Sequence, residues 1–193
     1  MKIFAFVDMH GSKKALENIF LKGKNADVVV CAGDFTIFGQ GYGQIMHVLN
    51  KIGKPVLLIH GNHEDDTMGE HMKNFSNCYF IHNTHFDFGD YCFIGWGGGG
   101  FAFKDKTFEK NKEKLKKLSK GKKIILVTHA PPYKTKIDKV HGVHAGNKSI
   151  RHFIEEVHPC VAISGHLHEC VGYDKIGKTV VINPGYMGRM IVL

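Results

Sequence analysis

The stretch LLIHGNHEDD, residues 57–66, changes from an apolar run to one asparagine, one histidine and three carboxylates. A short apolar run that ends in glycine is typical of a buried strand followed by a turn. Turn chemistry explains the glycine and the asparagine, but it does not call for histidine. Taken alone, the stretch fits a solvated loop. Its meaning depends on how the other strands of the chain end.

Five apolar runs end in the same way. Each is followed by residues that can bind a metal: Asp8 and His10 after 2–7, Asp34 after 27–33, Asn62, His63 and Glu64 after 55–61, His129 after 123–128, and His166 and His168 after 160–165. Ligands of open α/β sheets bind beyond the carboxyl ends of the strands, so we expect these side chains to lie together. Repeated histidine at these ends predicts a metal site.

The ligand types narrow the choice of metal. Asp, Asn and His without Cys suit Mn²⁺, Fe, Zn²⁺, Co²⁺ or Ni²⁺. The candidates are too many for one tetrahedral site, but they suit two ions that share a carboxylate. Two ions roughly 3.5–4 Å apart can clamp the attacking and leaving oxygens of a phosphoryl transfer.

The spacing of apolar residues between these runs predicts helices. They cover 12–23, 43–52, a lysine-rich stretch within 104–123, and 147–157. The strands are apolar on both faces, as in a parallel sheet covered by helices. Broken aromatic runs over 78–98 suggest antiparallel strands, and 170–174, 178–183 and 188–193 suggest a meander. We therefore predict one domain over 1–193 of the α/β class, a four-layer α/β/β/α sandwich of two mixed sheets flanked by helices.

Composition limits the class of protein. Hydrophobic residues make up 43% and charged residues 23%, as in ordinary globular proteins, and no apolar run is long enough to span a bilayer. The N-terminal run meets Asp8 and His10 too early for a signal peptide, so we expect a first strand and a cytoplasmic protein. The five cysteines are scattered without a C-x-x-C pair, and we expect buried free thiols.

The net charge of +8 is concentrated in one segment. Residues 104–123 hold ten lysines against Asp105, Glu109 and Glu113, so the rest of the chain is nearly neutral. A surface helix with a solvated lysine face is the preferred interpretation, and a nucleic-acid patch is the alternative. The chain has only two arginines, the side chain that reads guanine edges, so nucleic acid is not the favoured partner.

Five motifs occur in a fixed order: D-x-H from Asp8, G-D ending at Asp34, G-N-H-E around Asn62, a lone His129, and G-H-x-H from His166. In this order they resemble the calcineurin-like metallophosphoesterase superfamily. The compact length, THAPPY at 128–133 and NPG at 183–185 are most similar to the small prokaryotic phosphoesterases of that group.

The resemblance implies a role for each residue. One ion would be held by Asp8, His10 and His168, a second by Asn62, His129 and His166, and Asp34 would bridge both. Mn²⁺ is the preferred metal. A bridging hydroxide would attack phosphorus, and His63 would protonate the leaving alkoxide or stabilise its charge. Glu64 would orient a neighbour. Ile37 stands where the family often has a second, supporting aspartate.

The expected function is therefore hydrolysis of a phosphodiester or phosphomonoester of a small molecule, with Asp34 and His63 as the catalytic pair. One alternative is a non-catalytic, metal-bearing binding module of the same fold. The other is a nuclease, which would share the chemistry. No membrane is expected as a partner, and the apolar last strand at 190–193 could pair across a homodimer.

Some weaker patterns also need an interpretation. Residues 95–100 match G-x-G-x-x-G, but we favour a flexible loop beside the metal centre over a dinucleotide site. The pairs His82 with His85 and His141 with His144 are expected on the surface, with 141–144 as a candidate substrate rim. Tyr133 and Lys134 would either touch substrate or pack within their loop.

Overall fold

Two mixed β-sheets lie face to face in the computed structural model, which describes residues 1–118 and 121–193. With strands numbered along the chain, the first sheet has the order β13 (Arg189–Val192), β1 (Lys2–Phe6), β2 (Val28–Cys31), β3 (Val56–Leu58) and β4 (Cys78–Phe80). Strands β1 to β4 pair in parallel, and β13 runs antiparallel to β1. The carboxyl ends of β1, β2 and β3 therefore meet at one edge.

The second sheet has the order β11 (Gly172–Ile176), β12 (Thr179–Asn183), β10 (Val161–Ile163), β7 (Lys123–Thr128), β6 (Tyr91–Trp96) and β5 (Thr84–Phe88). Its four central strands are parallel, and both edge strands are antiparallel to their neighbours. A short hairpin of β8 (Lys139–Val140) and β9 (Val143–His144) lies outside both sheets.

Helices cover the outer faces of the two sheets. The first sheet carries α1 (Lys13–Gly23), α2 (Tyr42–Asn50) and α3 (Met68–Met72), and the second carries α4 (Lys106–Leu118) and α5 (Lys148–Val157). Side chains of α1 and α5 define where these helices begin, because Ser12 accepts a hydrogen bond from the Ala15 backbone and Asn147 accepts one from Ile150.

Alternation along the strands divides the apolar residues into three core layers. In β2, Val28 and Val30 point into the space between the sheets, and Val29 and Cys31 point towards the helices on the outer face. The outer face of the second sheet packs in the same way on Phe108 of α4 and its neighbours. The predicted α/β/β/α sandwich of two mixed sheets is confirmed.

Two strand predictions were wrong in part of their pairing. We expected antiparallel strands over 78–98, and β5 and β6 do pair in this way. Strand β4, however, lies parallel to β3, because a connection that includes α3 returns the chain to the same edge. The predicted meander holds for β11 and β12, whereas β13 leaves the second sheet and pairs with β1 of the first. Helix α3 was missed because five residues are too few to show a helical period.

The lysine-rich segment forms a surface helix, as predicted. Phe108 and Leu115 of α4 are buried against the second sheet, and most of its lysines are exposed. Residues 119 and 120 of the predicted segment lie outside the described residues. Helices in the described part of the chain are too short or too polar to cross a membrane.

All five cysteines are free thiols. Four are buried as expected, but Cys160 is exposed and corrects that expectation. Its backbone N–H bonds to the Ile124 carbonyl at the start of β10, and its side chain faces outward.

Replacing Phe153 with alanine should lower the free energy of unfolding by about 3–5 kcal/mol, because the ring is buried between α5 and the second sheet and edge-on to Phe108. Denaturant unfolding measures this difference. Leu21→Ala on α1 is the control, since that side chain is 64% exposed and its loss should change stability by less than about 0.5 kcal/mol. Equal losses in the two variants would contradict the assigned core.

Candidate metal centre

The carboxyl ends of strands from both sheets meet in one cleft, and all seven predicted metal ligands lie there. Asp8 and His10 follow β1, Asp34 follows β2, Asn62 follows β3, His129 follows β7, and His166 and His168 follow β10. Ligand atoms of Asp8, His10 and His168 lie within 4.8 Å of one another, as do those of Asp34, His129 and His166. The cleft thus contains two groups of donors.

The first group converges on a point between two imidazoles. Nε2 of His10 lies 3.1 Å from Nε2 of His168, and the latter lies 3.9 Å from Oδ1 of Asp8. Nδ1 of His10 can donate to the Thr36 carbonyl at 3.2 Å, which leaves its Nε2 as a free lone pair. Oδ1 of Asp8 is buried without a hydrogen-bond partner. Two facing imidazole nitrogens and an unpaired carboxylate oxygen fit a cation.

The second group is built around the amide of Asn62. Its Oδ1 lies 3.1 Å from Nε2 of His129 and 3.0 Å from Nδ1 of His166. His129 is fully buried, and its Nδ1 donates to the Ala32 carbonyl at 2.8 Å, so Nε2 is the atom available to a metal. This set of one carboxylate, one amide and two imidazoles, without sulfur, also fits a divalent cation of borderline hardness.

Asp34 lies between the two groups. Its Oδ2 is 3.9 Å from Nε2 of His10 and 3.4 Å from Nε2 of His129, so one carboxylate oxygen faces both sets of ligands. Its Oδ1 accepts a hydrogen bond from the His63 backbone at 2.9 Å. Burial works against the charge of Asp34, but the hydrogen bond and charge of His129, together with the His63 N–H, lower its pKa to about 2.

Other groups in the cleft are shifted mainly by burial. Burial raises the pKa of Asp8 to about 6, although the nearby imidazoles of His129 and His168 oppose this. Burial, with the charge of His129 acting in the same direction, lowers the pKa of His166 to about 4. His129 differs, because its contact with Asp34 outweighs burial and raises its pKa. A bound cation would favour the ionised form of Asp8 and the neutral forms of the imidazoles.

Four of these ligands have left-handed backbone conformations. The φ angles are +53° at Asp8, +45° at His10, +51° at Asp34 and +70° at His166. Such angles cost non-glycine residues roughly 1–3 kcal/mol each and are found where surrounding structure holds them in place. The strand ends are therefore bent sharply so that their side chains turn into the cleft.

Two glycines allow the loops to approach one another closely. A side chain at Gly61 would collide with the carboxylate of Asp34, and one at Gly33 would lie 2.7 Å from Nδ1 of His129. Since no rotation of a Cβ atom can relieve such contacts, both positions require glycine. The glycines of G-D and G-N-H-E are thus part of the packing of the centre.

Glu64 joins the loops that follow β2 and β3. One carboxylate oxygen accepts hydrogen bonds from the backbone N–H groups of Asp34 and Gly61, and the other accepts them from the backbone and hydroxyl of Thr36. The neighbour that Glu64 orients is thus Asp34. Ile37, at the position of the second aspartate of G-D-x-x-D, is 42% exposed and makes no comparable contact among the described residues.

His63 lies above the first group of ligands. Its ring is 4.6 Å from that of His10 and 4.3 Å from that of Phe38, measured between centroids. Its Nδ1 is buried without a hydrogen-bond partner in the described chain. One ring nitrogen of His63 also lies within 4.8 Å of the candidate metal-binding atoms of His10 and Asp34. The ring is therefore close enough to act on a molecule bound at the centre.

Two adjoining cavities open at the centre. One of about 360 Å³ contains the ligands His10, Asp34 and His166 and is bounded by Phe101, Val140 and Leu167. The other, of about 560 Å³, is bounded by Phe38, Tyr42, Met68 and His71. Asn62 and His63 line both cavities and mark the boundary between them.

The glycine-rich loop at 95–100 lies beside the centre, where we expected it. Phe101, directly after this loop, packs edge-on against the ring of His166 at 4.4 Å. The hairpin of β8 and β9 contributes Val140 to the rim of the smaller cavity, and His141 itself is exposed. Tyr133 and Lys134 line a different cavity beside Lys148, and Tyr133 packs on Phe103, so the loop-packing interpretation fits their position.

The sequence did not reveal two histidine contacts. His82 was expected on the surface, but it is half-buried, lies 4.5 Å from the ring of His60 and accepts a hydrogen bond from the Gly97 backbone. Burial lowers the pKa of His82 to about 4. His144 bonds to the fully buried Asp138, which also accepts hydrogen bonds from backbone N–H groups on either side of the hairpin, those of Lys134, Thr135 and Gly146. No local pattern signals the contact of His82 with His60, because the two come from different loops, whereas Asp138 and His144 lie six residues apart beside the same hairpin.

Two sequence comparisons found proteins similar to this chain. Residues 1–170 match the sequence model for calcineurin-like phosphoesterases. The chain is 33% identical, over a 204-residue alignment, to the uncharacterized protein MJ1162 of Methanocaldococcus jannaschii, and the match covers 95% of this chain and 88% of that protein.

Solved structures show the same fold. TT1561 of Thermus thermophilus superimposes with a TM-score of 0.75 at 18% identity, over 96% of this chain and 89% of that one. A dimetal phosphatase from Danio rerio superimposes with a TM-score of 0.66 at 11% identity, over 97% of this chain and 88% of that one.

Replacing Glu64 with alanine should weaken Mn²⁺ binding by about 10- to 100-fold, because the loops that carry Asp34 and Asn62 lose their shared hydrogen-bond acceptor. Unpaired backbone N–H groups should also lower the free energy of unfolding by at least about 2 kcal/mol. Calorimetric titration and denaturant unfolding measure the two effects. Glu70→Ala, at an exposed position of α3, is the control and should leave both unchanged. Unaltered Mn²⁺ affinity in Glu64→Ala would contradict this role.

Proposed function

The chain belongs to the calcineurin-like phosphoesterase family, and we propose that it uses two divalent metal ions to hydrolyse a phosphodiester or phosphomonoester of a small molecule. The observation that carries this proposal is the pair of ligand groups on either side of Asp34. The likeness to a dimetal phosphatase of Danio rerio supports it.

Each ion would have its own ligands and share Asp34. The first would be held by Asp8, His10 and His168, and the second by Asn62, His129 and His166. Mn²⁺ is our preferred metal, and Fe, Zn²⁺, Co²⁺ and Ni²⁺ suit the same oxygen and nitrogen ligands. When bound, the two ions supply a hydroxide near neutral pH and neutralise the charge of the reacting phosphate.

Two side chains, Asp34 and His63, would have separate roles in the reaction. Asp34 keeps the two groups of ligands at a fixed separation, since its own loop is tied to the loop of Asn62 through Glu64. His63 would donate a proton to the leaving oxygen, and its backbone bond to Asp34 fixes its place relative to the ligands. The unpartnered Nδ1 of His63 is consistent with a role towards substrate.

The walls of the cleft favour a small ester over a nucleic acid. Along the described chain, neither cavity at the centre is lined by lysine or arginine. Helix α4, which carries much of the positive charge, lies on the outer face of the second sheet. A nucleic acid would place further phosphates beside the reacting one, and these need nearby cations. The nuclease alternative therefore has less support.

The first test is hydrolysis of a nitrophenyl phosphodiester and a nitrophenyl phosphomonoester by chelator-stripped protein, with and without Mn²⁺. We expect turnover only with added metal, because the ligand groups of the cleft contain no other source of a strong nucleophile. The ratio of diester to monoester turnover indicates the substrate class. Absence of turnover of both esters, with two ions bound per chain, would favour the non-catalytic binding module.

Two variants separate metal binding from proton transfer. Asp34→Asn should lose tight binding of the ion pair and all metal-dependent turnover, since the shared anionic ligand is gone. His63→Gln should still bind two ions, with kcat reduced by about 10²- to 10⁴-fold. His47→Gln, on the exposed face of α2, is the control and should match the unaltered protein. Full activity of His63→Gln would rule out its role as the acid.

A further inference from the structure

Phe38 occupies a turn position that disfavours its side chain. The Gln40 backbone bonds to the Ile37 carbonyl at 3.0 Å, and the two central residues have positive φ angles, +48° at Phe38 and +77° at Gly39. Two-residue turns of this kind favour Asn-Gly or Asp-Gly, and a bulky residue at positive φ is uncommon. The ring is nevertheless 75% exposed, so burial in the core does not explain its presence.

The exposed ring faces the metal centre. It packs on the ring of His63 with centroids 4.3 Å apart and planes tilted by 35°. It also forms one wall of the 560 Å³ cavity, together with Tyr42 and Met68. A strained turn beside a catalytic cleft is often retained for a role in binding. Here the turn holds an aromatic face against the space next to His63.

The charges around this cavity restrict what it can hold. Its described lining contains Glu64 and Asp65 but no lysine or arginine. Glu64 already accepts hydrogen bonds on both of its oxygens, and Asp65 accepts from the backbone and hydroxyl of Thr67. An anionic group would find two acidic neighbours there and, among the described lining residues, no lysine or arginine to offset them. The walls instead suit an uncharged group with an aromatic or apolar surface.

We propose that this cavity binds an uncharged aromatic leaving group of the substrate and that Phe38 is the residue that selects it. The inference rests on the proposed phosphoesterase function. His63 lies at the boundary of the two cavities, so a group bonded to the oxygen beside His63 extends into the cavity of Phe38. A volume of about 560 Å³ is sufficient for a phenyl ring or a nucleoside.

The balance of the reaction agrees with this assignment. Water adds its hydroxyl group to phosphorus and releases one proton, the bond from phosphorus to the leaving oxygen breaks, and that oxygen takes the proton of His63. The proton released by water returns His63 to its protonated form, so the protons balance. The product is then a neutral phenol or alcohol. A cavity whose described lining has no lysine or arginine can hold such a product and the ester that precedes it.

Binding to the chelator-treated full chain tests the cavity without catalysis. Binding of two probes, phenol and adenosine, is measured by ligand-observed nuclear magnetic resonance. The probe with the lower dissociation constant identifies the source of the aromatic group. Phe38→Leu should raise the dissociation constant about tenfold, since stacking on the ring is lost. Tyr173→Leu, at an exposed position of β11, is the control and should bind as the unaltered protein does.

A second variant separates the side chain from the turn. Asparagine tolerates positive φ, so Phe38→Asn should keep or raise the melting temperature and still lose aromatic binding by about tenfold. Loss of binding can then not be attributed to unfolding. Equal affinity of the unaltered protein and both Phe38 variants, or no binding of either probe, would overturn the proposal.

Esters provide the second arm of the experiment. With Mn²⁺ added, kcat/KM for 4-nitrophenyl phosphate esters should be at least about tenfold higher than for the same esters with a carboxylate on the ring. Thr67→Lys, at the cavity wall, should reduce this preference. Equal turnover of the uncharged and the ring-carboxylated esters would contradict selection by Phe38 but would still support the phosphoesterase function. Phe38-dependent binding without turnover of any ester would support the cavity and overturn the phosphoesterase function.

Discussion

The carboxylate of Asp34 is the group on which the rest of the site depends. It lies between two sets of imidazoles, and its backbone and side chain are both held, one by Glu64 and the other by the His63 N–H. A buried carboxylate is stable only with such partners. The sharp turns, the glycines at close approach and the loops from several strands all place candidate metal ligands around one shared anion.

The distribution of charge separates the surface from the cleft. The lysines of α4 lie outside the second sheet, and the described walls of the two central cavities lack lysine and arginine. Apart from its histidines, positive charge in the cleft would therefore come from bound ions. This arrangement suits a substrate with a single reacting phosphate and neutral substituents, and it connects the proposed reaction with the aromatic cavity beside His63.

Much of the site could be predicted from local sequence. An apolar run followed by a ligand residue is visible in a few positions, because strand burial and turn formation depend on neighbouring residues. Histidine at Asp8-x-His10 and His166-x-His168 stood out because turns do not require it. The continuous apolar run of β2 likewise predicted burial on both faces, which the core layers confirm.

The sequence by itself determined the ligand types, the order of the strands along the chain and the α/β/β/α class. Only the tertiary structure decided that β4 runs parallel to β3, that β13 joins the first sheet, that His82 packs on His60 and that Phe38 faces a cavity beside His63. The physical reason is the range of the interactions. Periodicity and turn chemistry act over a few residues, whereas these pairings join distant segments whose meeting depends on the packing of the whole chain.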